Sequence, residues 1–568
     1  MSDARWNVPS PAPELVRRIM EDFRLSKPSA MVLANRHIPE ADLGGFLRPK
    51  LKQLSNPFLL GGTERAAERL WRAIRQGERI LIHGDYDTDG ITSSALMSWA
   101  LRQLGAEVDC FLPHRIEDGY GVTEASLSKA VTSHRVVVTV DCGITGHEAA
   151  IFAKSRGIDL IITDHHMPSE TLPDAYVVIN PKLGSDDPEQ ECLQTLAGVG
   201  VAFKLCHALV KYGREQDLGG HSFDLREGMD LVALGTVADI VPLRGENRIL
   251  IKHGMRVLAT QHRPGVRALC EVAGVTDTLT AEDISFRLAP RLNAAGRLAD
   301  ASSALRLLQT ESIVEAHKLA THLDQYNCDR QSCELKTTEA ARAQIADEGL
   351  DDGYSLVVWG ENWPVGVVGI VASRLMQEFY RPALVLSVDE SGEVHGSGRS
   401  IQGVDLVTTL GKCRHLLDSF GGHPMAAGLA TRRERLDELR QAFESAVRAG
   451  TDVAHFQRCL NLDGDLSFRD LTDRFFSELS VLRPFGQSFR APVFCFHQVK
   501  LQHVKPAGEK HTRGVAFERG YGFPFIAFNR TPDEFPVRPF SVAARPQLNT
   551  YKASTRPQLE IVDIEADC

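Results

Sequence analysis

Between residues 65 and 180 the chain alternates short apolar runs with helix-forming ones, and three of the apolar runs end in acids or imidazoles. "RILIH" runs into Asp85, Asp87 and Asp89, "RVVVTV" into Asp141, and "DLIIT" into Asp164, His165 and His166. Runs this apolar, separated by stretches such as "SSALMSWALRQLG" and "TGHEAAIFAKSRG", predict a parallel sheet with helices on both faces. Such sheets place their sites beyond the carboxyl ends of the strands. A lone aspartate at a strand end is ordinarily a cap or turn residue. So many along one sheet edge would be costly to bury without cations.

The stretch "GDYDTDG" invites a calcium-loop reading, because Asp85, Asp87, Asp89 and Gly90 follow its opening pattern. The reading fails twice. The twelfth position, which should be a bidentate glutamate, is Leu96, and the lead-in "ERILIH" is a strand rather than a helix.

A further acid, Asp239, ends the helical stretch "LVALGTVADIVP". Carboxylates and imidazoles without a thiolate suit Mn²⁺ or Mg²⁺ better than structural zinc. Seven or so candidate ligands exceed the needs of one ion. A pair of divalent ions about 3.5–4 Å apart, sharing a carboxylate, is a recurrent device for phosphoester hydrolysis. The residues alone therefore point to a two-metal phosphoesterase.

The chain has 568 residues, enough for about three or four domains. A net charge of −10 argues against a generic nucleic-acid-binding surface, but residues 481–555 hold 11 Lys+Arg against 4 Asp+Glu. Eleven cysteines, without a CxxC pair, read as reduced thiols rather than a disulfide framework or a zinc module. The first residues lack a secretion signal's apolar core, and no run nears the roughly 18 apolar residues of a membrane span, so a cytoplasmic location is expected.

Downstream of the sheet, helical patterns dominate about 197–345 and end in a long helix around "HKLATHLDQYNCDRQSCELKTTEAARAQIA". A second α/β segment opens at "YSLVVWG", and the tail from about 456 reads as a small all-β unit. Its phenylalanines, Phe485, Phe489, Phe494, Phe523 and Phe528, are expected to fill a barrel core more often than to stack on bases.

The motifs "GDYDTDG", "VDCG", "TDHH" and "GTVADIVPL" resemble the four blocks of the DHH phosphoesterase superfamily. "PRLNAAGRL" and "VGVVGIVASRL" resemble further blocks of its RecJ branch, "GSGRS" with "FGGHPMAAGL" its DHHA1 domain, and "LRPFGQSFRAPVF" the entry to its oligonucleotide-binding (OB) fold. The resemblance runs in family order from about residue 60 onward. It implies an N-terminal helical extension over 1–60 and a parallel-sheet DHH catalytic domain with a connecting helix over 61–345. An α/β DHHA1 domain over 346–455 and a C-terminal all-β OB-type domain over 456–568 complete the expected architecture.

The same resemblance implies residue roles. His83 and Asp87 match ligands of a first ion, Asp89, His165 and Asp239 ligands of a second, and Asp141 the bridging carboxylate. Asp85 and Asp164 match acids that orient the histidine ligands, and His166 a group touching the scissile phosphate. Arg399, Ser400 and His423 match phosphate-binding positions, with Arg399 placed to stabilise the developing charge and Asn293 and Arg297 as further candidates. The implied activity is 5′-to-3′ hydrolysis of single-stranded DNA to 5′-mononucleotides in recombination and repair, including mismatch repair. The implied partners are a single-stranded-DNA-binding protein and a recombination helicase, and the implied state is a monomer. Rival readings are a phosphodiesterase of short oligoribonucleotides or cyclic dinucleotides, a pyrophosphatase, and a DNA-binding scaffold without activity. Two departures from the family pattern stand out: Pro364 follows Trp363 where a histidine is usual, and "NTYKAST" replaces a glycine-bearing turn.

Overall fold

A computed structural model describes residues 4–114, 121–184, 188–275, 279–298, 300–551 and 554–565. The apolar runs form one five-stranded parallel sheet. In spatial order its strands are Val108–Phe111, Ile80–Gly84, Val136–Val140, Asp159–Thr163 and Val177–Ile179. The strand order reverses between Ile80–Gly84 and Val136–Val140. These two strands therefore open a crevice at their carboxyl ends, the position where doubly wound sheets bind ligands. Both are buried along their whole length, which explains runs without alternation.

The "GDYDTDG" turn leads directly into the helix Thr88–Gln103. Asp87 caps that helix, its carboxylate accepting hydrogen bonds from the backbone N–H of Asp89 and Gly90. Gly90 is needed for a steric reason. A Cβ there would meet the Asp85 backbone at 2.5 Å. The turn is thus a strand-to-helix elbow.

Helices between Gly198 and Gln309 share one core with this sheet. The helix Ile313–Glu348, 36 residues and about 54 Å long, leads to the second α/β unit. There the sheet order is Ser419–His423, Ala426–Arg432, Glu393–Arg399, Ala383–Val388 and Leu356–Glu361, with only the last two strands parallel. The C-terminal strands Phe494–Pro506, Thr512–Glu518, Tyr521–Ala527, Ser554–Glu565 and Phe540–Tyr551 close into a barrel in that order. A five-stranded closed barrel with this crossed order is the OB architecture.

The tail is not purely β. It contains the helix Asp473–Leu482, and the first helices of the chain, Pro13–Phe23, Lys27–Asn35 and Glu40–Leu47, pack on it. Val16, Ile19, Val32 and Leu43 bury against Phe475, Phe476, Leu482 and Phe489 in one core with the barrel. The strand Arg5–Asn7 pairs with Cys459–Asn461. These contacts join segments more than 400 residues apart, so no local pattern announces them. Phe485, Phe489 and Phe494 are core residues, Phe523 packs at the edge of that core, and Phe528 is 51% exposed. Strands Phe540–Tyr551 and Ser554–Glu565 form a hairpin, with residues 552 and 553 of the "NTYKAST" segment outside the described residues. Among the described residues no helix is long and apolar enough to cross a membrane, and ten cysteines are free thiols.

Candidate metal centre

The switch-point crevice collects the strand-end acids. Asp141 follows its strand with φ 63°, a left-handed conformation that aspartate tolerates better than most residues. This turns its carboxylate toward the other acids. Oxygens of Asp85, Asp87 and Asp141 come within 4.8 Å of one another, and so do ligand atoms of Asp89, His165 and Asp239. His165 Nε2 lies 3.1 Å from Asp141 Oδ1, 3.6 Å from Asp239 Oδ2 and 4.0 Å from Asp89 Oδ2. Asp141 thus belongs to both halves of the cluster.

Asp89 is held by a helix N-terminus. Its two oxygens accept from Gly198 N–H (2.7 Å) and Val199 N–H (2.8 Å) at the start of Gly198–Glu215. Gly198 has a second duty, since a Cβ there would strike the Asp141 carboxylate at 2.4 Å. Asp164 organises the two histidines. Its Oδ1 accepts from the backbone N–H of His165 and His166 and pairs with His166 Nδ1 at 2.7 Å, while Oδ2 accepts from Ile144 N–H. Lys182 donates through Nζ to the carbonyl of His165, and Asn180 donates to that of His166.

The electrostatics are those of an anionic site awaiting counter-charge. Burial, then the charge of Asp87, pushes Asp85 up to about 8 and Asp89 up to about 7. Burial and the charges of Asp89 and Asp87 push Asp239 up to about 9, and Asp141 is raised well above the carboxylate range by burial and the same neighbours. Burial, then the charge of His166, drops His165 to about 3. Asp164 behaves oppositely: burial would raise it, but His166 holds it below its ordinary value, and His166 is raised in return despite its own burial.

The donor set fits divalent cations. Asp141 Oδ1, His165 Nε2 and Asp239 Oδ2 are buried atoms without a hydrogen-bond partner, and they converge. Buried polar atoms are nearly always satisfied, so three facing orphans mark a place for an ion. Oxygen-dominated donors with one imidazole suit Mn²⁺ or Mg²⁺.

His83 stands apart. It is fully buried, its Nε2 lies 3.0 Å from Ser126 Oγ, and its Nδ1 is 4.0 Å from Cys142 Sγ. The structure brings Asp85 to Asp87 and Asp141 instead. Asn293 Oδ1 accepts from Thr88 N–H and Oγ1–H at 2.8 Å each, bracing the elbow. Arg297 donates to the carbonyl of Gly366 at the start of Val365–Phe379, tying the catalytic unit to the second one. Pro364 caps that same helix. Arg399 donates to Ser397 Oγ and Gly398 O, and Ser400 is buried with its hydroxyl on Val404 O. His423 and Arg399 flank Ala426 on adjacent strands, which sets both on one face of the sheet; His423 is exposed.

Sequence reasoning missed Gly198, Val199, Asn180 and Lys182. The first two act through backbone N–H groups, and only the glycine-rich start of "AGVGVAF" hints at them.

Three family models match in order: the DHH family N-terminal domain over residues 79–236, the DHHA1 domain over 352–449 and the RecJ OB domain over 462–563. The chain is 36% identical over 572 residues to the single-stranded-DNA-specific exonuclease RecJ of Bacillus subtilis, covering 99% of this chain and 71% of that one. It is 39% identical over 535 residues to the Escherichia coli protein of the same name, covering 89% and 90%. The crystal structure of RecJ in complex with Mn²⁺ from Thermus thermophilus superposes with a TM-score of 0.85 at 30% identity, covering 100% of this chain and 80% of that one. With these blocks, this barrel and this acid-lined switch point, the chain belongs to the RecJ family within the DHH proteins.

Proposed function

We propose that the chain is a single-stranded-DNA-specific exonuclease that degrades from the 5′ end and releases 5′-mononucleotides. The observation that carries this reading is the set of converging, unpartnered ligand atoms on Asp141, His165 and Asp239, in a chain that also carries the DHHA1 sheet and the OB barrel. Asp87 and Asp141, flanked by Asp85, are assigned to one cation, with His83 exchanging its Ser126 contact for that cation. Asp89, Asp141, His165 and Asp239 are assigned to a second. Bound there, the two cations would acidify a water and neutralise phosphoryl oxygens.

The chain's own groups do the rest. Gly198 and Val199 N–H fix the Asp89 carboxylate, so it is presented without rotamer freedom. Asp164 holds His166 through Nδ1 and so fixes the orientation of the ring assigned to the scissile phosphate. Arg399 and His423 face the substrate phosphates from the second sheet, and Ser400 N–H and Oγ brace that loop. The basic barrel guides the strand. The resemblance further suggests work in recombination and repair, in the cytoplasm, as a monomer beside a single-stranded-DNA-binding protein and a helicase.

The test is digestion of an oligonucleotide labelled at either end, with Mn²⁺ or Mg²⁺, by the wild type and by Asp141→Asn. Mononucleotide release from the 5′ end, lost in the variant and absent on blunt duplex, is expected. Binding of the strand without cleavage in either metal would overturn the nuclease reading.

A further inference from the structure

Away from the carboxylate cluster, the barrel carries a second group of metal-ligating side chains. Cys495 and His497 lie at positions i and i+2 of the strand Phe494–Pro506, so both point to the same face. The segment before the barrel runs alongside: Cys495 N–H donates to Gly464 O, and Asp465 pairs with Cys495 in a parallel bridge. That register brings the Asp465 carboxylate over the same face. We propose that Asp465, Cys495 and His497 form a binding site for a thiophilic divalent cation of the zinc type, distinct from the nuclease centre.

The distances carry the argument. His497 Nε2 lies 3.5 Å from Cys495 Sγ and 3.1 Å from Asp465 Oδ1, and all three ligand atoms fall within 4.8 Å of one another. Tetrahedral zinc, with bonds of about 2.3 Å to sulfur and about 2.0–2.1 Å to nitrogen and oxygen, spaces its ligands about 3.5 Å (S to N) and about 3.3 Å (N to O) apart. Two of the three ligand separations therefore already match, and the sulfur and the carboxylate oxygen lie within 4.8 Å of each other. Hydrogen bonding between Asp465 and His497 explains their own contact. The Cys495 sulfur meets the same ring nitrogen at 3.5 Å, so a soft donor, an imidazole and a carboxylate converge on one point.

The surroundings add the support that zinc histidines use. His497 Nδ1 is 2.8 Å from Ser541 Oγ on the neighbouring strand Phe540–Tyr551. With the ring proton on Nδ1 given to Ser541, the Nε2 lone pair faces the cysteine and the aspartate. Cys495 is buried, whereas Asp465 and His497 are more than half exposed, so an ion enters from solvent and keeps its fourth position open to water. Binding forms the zinc–sulfur bond and releases the thiol proton to solvent. Ligand chemistry separates the two sites. The sheet-edge cluster is oxygen-dominated, while this one offers a thiolate.

Occupancy would clip residues 462–466 to the barrel. The same segment carries Asp463, which pairs with Arg36 of the N-terminal helices. The experiment is titration of the full-length chain with Co²⁺ under saturating Mg²⁺, read by the near-ultraviolet sulfur-to-cobalt charge-transfer band. One equivalent should produce the band in the wild type. Cys495→Ser and His497→Ala should each abolish it, and Cys142→Ser, which removes the thiol near His83, should leave it. His497 lies on the surface, so its loss does not threaten folding. Zn²⁺ should raise the melting temperature of the wild type and of Cys142→Ser but not of His497→Ala. Absence of the band in the wild type, or its survival in Cys495→Ser or in His497→Ala, overturns the proposal.

Discussion

Two of the regions that bury acids in this molecule treat them in opposite ways. At the sheet edge, Asp85, Asp89, Asp141 and Asp239 crowd together, and Asp141 and Asp239 each leave an oxygen without a partner. At the seam between the N-terminal helices and the barrel, Asp463, Glu478 and Arg248 are each answered by partners. Asp463 takes two hydrogen bonds from Arg36 at 3.0 Å each and one from Val493 N–H. Glu478 accepts from Ser26 N–H and Oγ–H, and fully buried Arg248 donates to the carbonyls of Phe46, Leu482 and Pro484. The seam spends its charges on holding segments together. The sheet edge keeps its charges for something that comes from outside. Burial alone does not mark a functional acid; the convergence of several buried, unpartnered ligand atoms does.

The comparison can be broken at its strongest point. Asp141→Asn should lower turnover about a thousandfold, the several kcal/mol expected for lost cation stabilisation. It should also raise the melting temperature of the metal-free chain, because the amide has no carboxylate to desolvate and protonate on burial. A variant that loses activity by unfolding would place Asp141 with the structural acids. At the seam the reverse is expected. Asp463→Ala strands Arg36 and should destabilise by about 3 kcal/mol in chemical denaturation, with unchanged activity per folded molecule.

A smaller effect sharpens the picture between those extremes. Asp164 is buried and fully hydrogen-bonded, like a seam acid, yet it touches the site. Asp164→Asn should lower activity about 10–100-fold through the orientation of His166, with a small change in stability. Loss of melting temperature without loss of activity would assign it to the fold.

A last effect is in pH. Asp89, Asp85 and Asp239 titrate near 7, 8 and 9 in the folded metal-free chain, against about 4 when unfolded. The folded state binds these protons more tightly. Their stabilisation is complete below about pH 4 and is lost as pH rises through about 9. Melting curves of metal-free protein should therefore fall between about pH 6 and pH 9, and Mn²⁺ should restore them most at the alkaline end. A melting temperature that climbs with pH in the absence of metal would contradict the crowding of these carboxylates.

Much of this was legible along the chain. Apolar runs of five residues become buried parallel strands because hydrogen bonding within the sheet and helices on both faces leave them no solvent side. The long helix and the β character of the tail followed from patterns that are local in sequence, while the order of the blocks and the OB barrel were what the family resemblance implied. The elbow nature of "GDYDTDG" was already visible in a strand lead-in and in Leu96 where calcium needs a glutamate. His83 shows what spacing leaves open: four residues before Asp87, it has its ring near Ser126 and Cys142, while Asp85 gathers with Asp87 and Asp141.

What the sequence by itself determined is which side chains stand at strand ends, because period and polarity are properties of neighbours along the chain. Only the tertiary structure decided which of those side chains meet. It set a helix N-terminus under Asp89, turned the N-terminal helices back onto the barrel, and laid Asp465 beside Cys495 and His497 where no CxxC spacing gave warning. Those meetings depend on packing between segments far apart in the chain, and no pattern in either segment alone encodes the distance between them.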